Sequence, residues 1–197
     1  MTLLDLAQKR RSCYALTNKI PLTEKQLVNI VQTAVKHAPS AFNSQSARVL
    51  VLLDEKHRTF WKLTENELKK IVPPQNWAQT AEKITAFAQA CGTLLFFEDW
   101  MVVENLQNRF PTYKDNFPIW AYQANGMLEY LIWTALAEQN IGASLQHYNP
   151  LVDGAVRRTF NVPAAWKLVA QMPFGGIARP PAEKDFLPLD ARVIVEK

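Results

Sequence analysis

The chain has 197 residues, 48% hydrophobic and 20% charged, which suffices for a sizeable core and excludes a disordered, collagenous or disulfide-stapled polypeptide. Its net charge of +4 is scattered without a basic run, which argues against a nucleic-acid surface and suits an anionic cofactor or substrate. Cys13 and Cys91 are the only cysteines, without metal-ligand spacing, and neither sits in a base motif.

The opening stretch Met1–Arg11, ending in Lys9-Arg10-Arg11, is too short and too charged for a signal peptide, and no run of 18 apolar residues exists to cross a membrane. The expectation is a cytoplasmic protein with reduced thiols and no membrane partner. Thr2 starts a short helix that ends near Arg10. Thr23 and Gln26 have capping-box spacing, and Leu27, Ile30, Val31, Ala34 and Val35 then recur at helical period until Pro39. Val49–Leu53 is a continuous apolar run, which predicts a strand buried on both faces. Helices are predicted over 55–71 and from Trp77 through Ala88, followed by a second buried strand at Gly92–Phe97. Another helix spans 99–110.

From Pro118 to about Asn140 runs the longest helical pattern, apolar almost all round, so it is either a central core helix or partly covered by a second subunit. Gly142 reads as its stop. Ala143–Tyr148 reads as a strand entering a loop, 151–160 as a short helix, and Lys167–Phe174 as a strand closed by Gly175-Gly176. The Pro-rich tail should be extended, with Val193-Ile194-Val195 available to pair at a sheet edge. The pattern is one α+β domain over residues 1–197, an α/β three-layer arrangement of a mixed sheet surrounded by helices.

Two polar segments stand out. Arg10-Arg11-Ser12-Cys13-Tyr14 places two guanidinium groups and a hydroxyl at a helix end, donors that suit a phosphate. Pro39-Ser40-Ala41-Phe42-Asn43-Ser44-Gln45 packs amides and hydroxyls into a connection that needs none; Asn and Gln both donate and accept, as the imide edge of a flat heterocycle requires. FMN has both ends. The plainer readings are a solvated basic helix end and a self-capping polar turn.

These segments, with Gly92–Asp99, Trp120-Ala121, Gly142–Pro150 and Pro173–Gly176, resemble the nitroreductase family of FMN-dependent oxidoreductases over nearly the whole chain, and a short subgroup of it associated with nitroaromatic and lipid-linked stress responses. The resemblance implies non-covalent FMN in a homodimer with shared sites, a long central interface helix, and NADH or NADPH as reductant. Hydride would pass through flavin N5 to a nitroaromatic, quinone or similar small-molecule acceptor by ping-pong chemistry, with the flavin and no side chain as the catalytic group and no metal. It assigns Arg10, Arg11, Ser12, Lys184 and Arg192 to the phosphate, and Pro39, Ser40, Asn43 and Gln45 to the partner's flavin. Lys83 goes to the pyrimidine end of the ring, and Gln146, His147 and Tyr148 to its edge. Two positions depart from the family pattern: Tyr14 replaces a basic residue, and Ser46-Ala47 replace Pro-Trp. Trp120, Tyr122 and Trp133 read as core or dimer contacts. A flavin-binding regulatory or stress protein of the same fold is the alternative to an enzyme.

Overall fold

In a computed structural model describing residues 1–197, seven helices enclose one five-stranded sheet. The strands are β1 (Leu16–Thr17), β2 (Ala47–Leu53), β3 (Gly92–Asp99), β4 (Ile141–Ala143) and β5 (Trp166–Ile177). Their order is β1-β5-β3-β2, with β4 paired to β5. Every ladder is antiparallel, and the parallel character expected of a mixed sheet is confined to a bridge between Ser12 and Ala143.

The helix starts follow local chemistry. In α1 (Leu3–Lys9), the Thr2 N–H donates to Asp5 Oδ2 at 2.7 Å and the Asp5 N–H returns to Thr2 Oγ1 at 3.2 Å. Thr23 and Gln26 make the same reciprocal pair at the head of α2 (Glu24–His37), which ends in extended backbone at Ala38, the conformation a following proline favours. The other helices are α3 (Asp54–Leu68), α4 (Trp77–Ala88), α5 (Trp100–Arg109), α6 (Asn116–Glu138) and α7 (Asp153–Phe160). No helix is long and apolar enough to cross a membrane.

Side-chain alternation along β3 creates the three layers. Leu94 and Phe96 point to one face and pack with Leu27 and Val31 of α2 and Leu128, Ile132 and Leu136 of α6. Leu95 and Phe97 point to the other and meet Phe60 and Trp61 of α3, Ile84 and Phe87 of α4 and Val156 of α7. β3 is central and buried, as its apolar run predicts. β2 differs: it lies at the end of the sheet order, and only Leu52 within it is fully buried. A continuous apolar run marks a strand that loses water, but not what covers it.

Three further expectations are corrected. Asn140, not Gly142, makes the left-handed turn after α6, with φ 58°. Gly142 lies inside β4, where a Cβ would come within 2.9 Å of Cys13 Cβ and 2.8 Å of Ile177 Cγ1. The segment 143–148 is a strand only through Ala143, beyond which Gln146 alone bridges to Gln171. The tail beyond Ile177 adds no strand, and Val193, Ile194 and Val195 stay exposed.

Candidate active site

Arg10 and Arg11 sit where α1 hands over to extended chain. Arg10 caps the helix, its N–H donating to Leu6 O at 2.9 Å, and its own φ/ψ of −64°/116° turns the chain toward the sheet. Ser12 then bridges to Ala143, and the Cys13 N–H donates to Ala143 O at 2.9 Å, which anchors the segment beside β4. Across from it runs the chain that leaves β5. Together they form a cleft of about 680 Å³ lined by Arg10, Arg11, Ser12, Tyr14, Ala15 and residues 179–184. Four of these residues are cationic (Arg10, Arg11, Arg179, Lys184) and only Glu183 is acidic.

Arg11 is partly committed, with Nη2 donating to Ala182 O at 2.6 Å. The Arg10 guanidinium has no acceptor in the protein: it takes part in no ion pair, and its Nε is buried without a partner. With no acceptor inside the chain, the terminal Nη donors of this guanidinium suit an anion from outside it.

Tyr14, Ala15 and Arg179 also line a second cleft of about 610 Å³, so the two adjoin. Leu68, Val72, Ala86 and Phe87 give it an apolar lining, to which Gln79, Thr80, Glu82, Lys83 and Tyr148 add polar groups. Lys83 Nζ lies 5.7 Å over the Phe87 ring. The Tyr148 phenol packs edge-on to Trp61 at 5.9 Å, and burial pushes its pKa up to about 12, so it remains a protonated donor. A cationic cleft thus lies next to a more apolar one.

The polar loop lies elsewhere. A 3₁₀ turn at Ala41–Asn43 carries it, with φ of 56° at Phe42, 50° at Asn43 and 50° at Gln45. Left-handed backbone at three non-glycine residues is held only where the surroundings demand it. Phe42 supplies that hold, with its ring 4.9 Å from Phe110, 5.3 Å from Phe117 and 6.3 Å from Trp120. The Gln45 N–H donates to Ser40 Oγ at 3.0 Å. Asn43 and Gln45 are exposed, and Pro39, Ser40 and Gln45 line a third cavity between α2 and the half-buried β2. That cavity shares no residue with the adjoining clefts.

Of the residues singled out in the sequence, the fold therefore gathers Arg10, Arg11, Ser12, Tyr14, Lys83, Tyr148 and Lys184 around two adjoining clefts. It sets Pro39, Ser40, Asn43 and Gln45 apart. Gln146 is buried, with its amide donating to Ser144 Oγ at 3.1 Å and its backbone exchanging two hydrogen bonds with Gln171, so it braces the sheet end. His147 is exposed and Arg192 lies in an exposed turn of the tail; neither lines a cleft. Arg179 is the residue the sequence reading missed. Its signal was its position just past the strand that ends at Ile177, in a segment read only as a proline-rich tail.

The profile of the Nitroreductase family matches residues 7–176. HBN1 of Saccharomyces cerevisiae is 34% identical over 194 residues, covering 98% of this chain and 96% of that protein. Nitroreductase CinD from Lactococcus lactis superimposes over the whole of both chains: its complex with chloramphenicol has a TM-score of 0.92 at 42% identity, and its complex with 4-nitrophenol 0.91 at 41%. A nitroreductase from Desulfitobacterium hafniense with bound FMN shares the fold, with a TM-score of 0.70 at 16% identity over 98% of this chain and 97% of that one. A cationic cleft next to a more apolar one, on this fold and with these relatives, makes the chain an oxidoreductase of the Nitroreductase family.

Proposed function

We propose that the protein is an FMN-dependent NAD(P)H oxidoreductase that reduces nitroaromatics, quinones or similar acceptors. The observation that carries this reading is the adjacency of the two clefts, which share Tyr14, Ala15 and Arg179. A phosphate tail fits the cationic cleft, and a flat heterocycle fits the more apolar one. The unpartnered Arg10 guanidinium supports an anionic occupant. The likeness to a protein solved with 4-nitrophenol supports nitroaromatic acceptors.

Bound FMN would supply the redox chemistry, accepting hydride from a nicotinamide and passing it to the acceptor. The chain's own residues hold and tune it. Arg10, Arg11, Ser12, Lys184 and Arg179 bind the phosphate through charge-assisted hydrogen bonds. Lys83 keeps a positive charge at the rim of the ring slot, where negative charge accumulates on reduction. Tyr148, held protonated, offers a donor at the same rim. Phe87, Val72 and Leu68 exclude water from one face of the slot.

This site is incomplete within one chain, which supports a homodimer with shared sites. Ser40, Asn43 and Gln45 present their amides and hydroxyls away from the cleft they would serve. α6 leaves Ile119, Tyr122, Met127 and Tyr130 at least 42% exposed along one side. A Cβ built at Gly126 on that helix would meet nothing within 4 Å. A second copy covering this stripe would bring its polar loop toward the first copy's slot.

Purified protein should be yellow, with an absorbance band near ~450 nm from bound flavin, and should bleach anaerobically with NADH or NADPH and recolour with a nitroarene. Colourless protein that takes up no added FMN would overturn the reading.

A further inference from the structure

We propose that Trp133 is a positioning residue for the phosphate end of the cleft: its indole face holds the Arg10 guanidinium in place to receive an anionic group. The proposal rests on the FMN reading above.

Arg10 carries a long side chain with no partner to orient it. No carboxylate pairs with it, and no hydrogen bond from its guanidinium is made within the protein. Its one oriented contact is with Trp133, where Cζ lies 4.3 Å from the ring centroid. That is well inside the range of a cation–π interaction, and Trp offers the strongest face for one. An unpaired guanidinium so stacked loses rotational freedom without using any of its donors, and its terminal Nη groups stay available for a ligand.

The ring itself is fixed. Trp133 lies on α6 and packs against the core cluster that contains Leu128, Ile132 and Leu136. Lys9 Nζ donates to Glu138 O at 3.3 Å, which ties the end of α1 to the end of α6 on either side of the pair. Packing alone does not account for a tryptophan here. Its indole Nε1 is buried with no acceptor, a cost that Phe or Leu in the same place would avoid. The indole face under Arg10 is what those residues would lose or weaken. Trp133 thus ties the phosphate end of the site to the longest helix of the fold.

The test compares FMN with riboflavin, which lacks the phosphate. Each flavin is titrated into the full-length protein freed of flavin, and binding is read from quenching of flavin fluorescence. Trp133→Leu should weaken FMN about tenfold and leave riboflavin unchanged, whereas Trp133→Phe, which keeps an aromatic face, should restore most of the FMN affinity. Equal losses for both flavins, or no loss for either, would make Trp133 a packing residue and overturn the proposal. Should Trp133→Leu fail to fold, Trp133→Phe carries the test at smaller amplitude. An FMN-specific loss of about two- to threefold then supports the proposal, and unchanged or flavin-independent binding overturns it. Wild-type protein that binds neither flavin would remove the FMN reading and this proposal with it, an outcome distinct from a wild type that binds both while the variants leave their ratio unmoved.

Discussion

Arg10 and Arg11 are adjacent in sequence and differ in what they already hold. Arg11 has one donor bonded to Ala182 O, while Arg10 has its terminal Nη donors free. On the proposed reading, an incoming phosphate would gain its new charge-assisted bonds mainly from Arg10. Arg10→Ala should remove ~1.5–3 kcal/mol of binding and weaken FMN roughly 10- to 150-fold. Retention of flavin through exhaustive dialysis measures this directly, and wild-type retention in the variant would remove Arg10 from the site. Tyr14 sits at the junction of the two clefts, 55% exposed, and supplies a phenol where the family pattern has a base. Arg179, lining the same junction, restores a positive charge there.

Two helices carry buried titratable groups that act on stability in opposite directions. On α3, His57 is 1% exposed, with Nδ1 2.9 Å from Thr93 Oγ1 and Nε2 3.2 Å from Ala88 O, and the Trp61 indole donates to the same threonine oxygen. Desolvation lowers its pKa from 6.5 to about 4. The fold thus prefers the neutral ring: its contribution is full above the unfolded value and is lost as the pH falls from 6.5 toward 4, on the order of 3 kcal/mol. As the pH falls through that window, the urea midpoint of wild type should drop relative to that of a His57→Gln variant, and parallel curves would count against a neutral buried His57.

On α6, Glu129 is 6% exposed and its pKa is pushed up to about 7, first by desolvation and then by Glu98. Glu98 is itself fully buried, accepting from Asn125 Nδ2 at 2.8 Å while its Oε2 has no partner. Here the fold prefers the protonated acid, so stability is full below 4.5 and falls as the pH rises toward 7, again on the order of 3 kcal/mol. Glu129→Gln should be more stable than wild type at pH 8 and equal to it at pH 4. Denaturation curves displaced by the same amount at both pH values would contradict this.

At the level of the whole molecule, the phosphate cradle and the polar loop occupy separate cavities of one chain. In the proposed twofold assembly each copy would complete the other's site. Arg10→Ala and Asn43→Ala homodimers should both bind flavin poorly. Co-expressed as mixed dimers, they should regain one intact site per dimer, about half the wild-type flavin content, because the unaltered cradle and the unaltered loop then meet. Mixed dimers that bind no more flavin than either parent would place the loop outside the site.

Much of the molecule was legible before folding because it depends on local chemistry. The helix start at Thr2, the capping pair Thr23/Gln26, the Pro39 stop, the buried run of β3 and the seven helices follow from hydrogen-bonding and hydrophobic period within a few residues. The donors of Arg10, Arg11 and Ser12 were likewise recognisable by type. Hidden from the linear chain were relations between distant segments. That β2 is an edge strand, that Gly142 lets Cys13 and Ile177 approach, that Arg179 rather than Arg192 joins the cleft and that Trp133 lies beneath Arg10 all depend on which segments the sheet and α6 bring together. Residue type sets what a side chain is able to bind, but long-range packing of apolar faces, which is non-directional and recorded in no local motif, sets which side chains share a site.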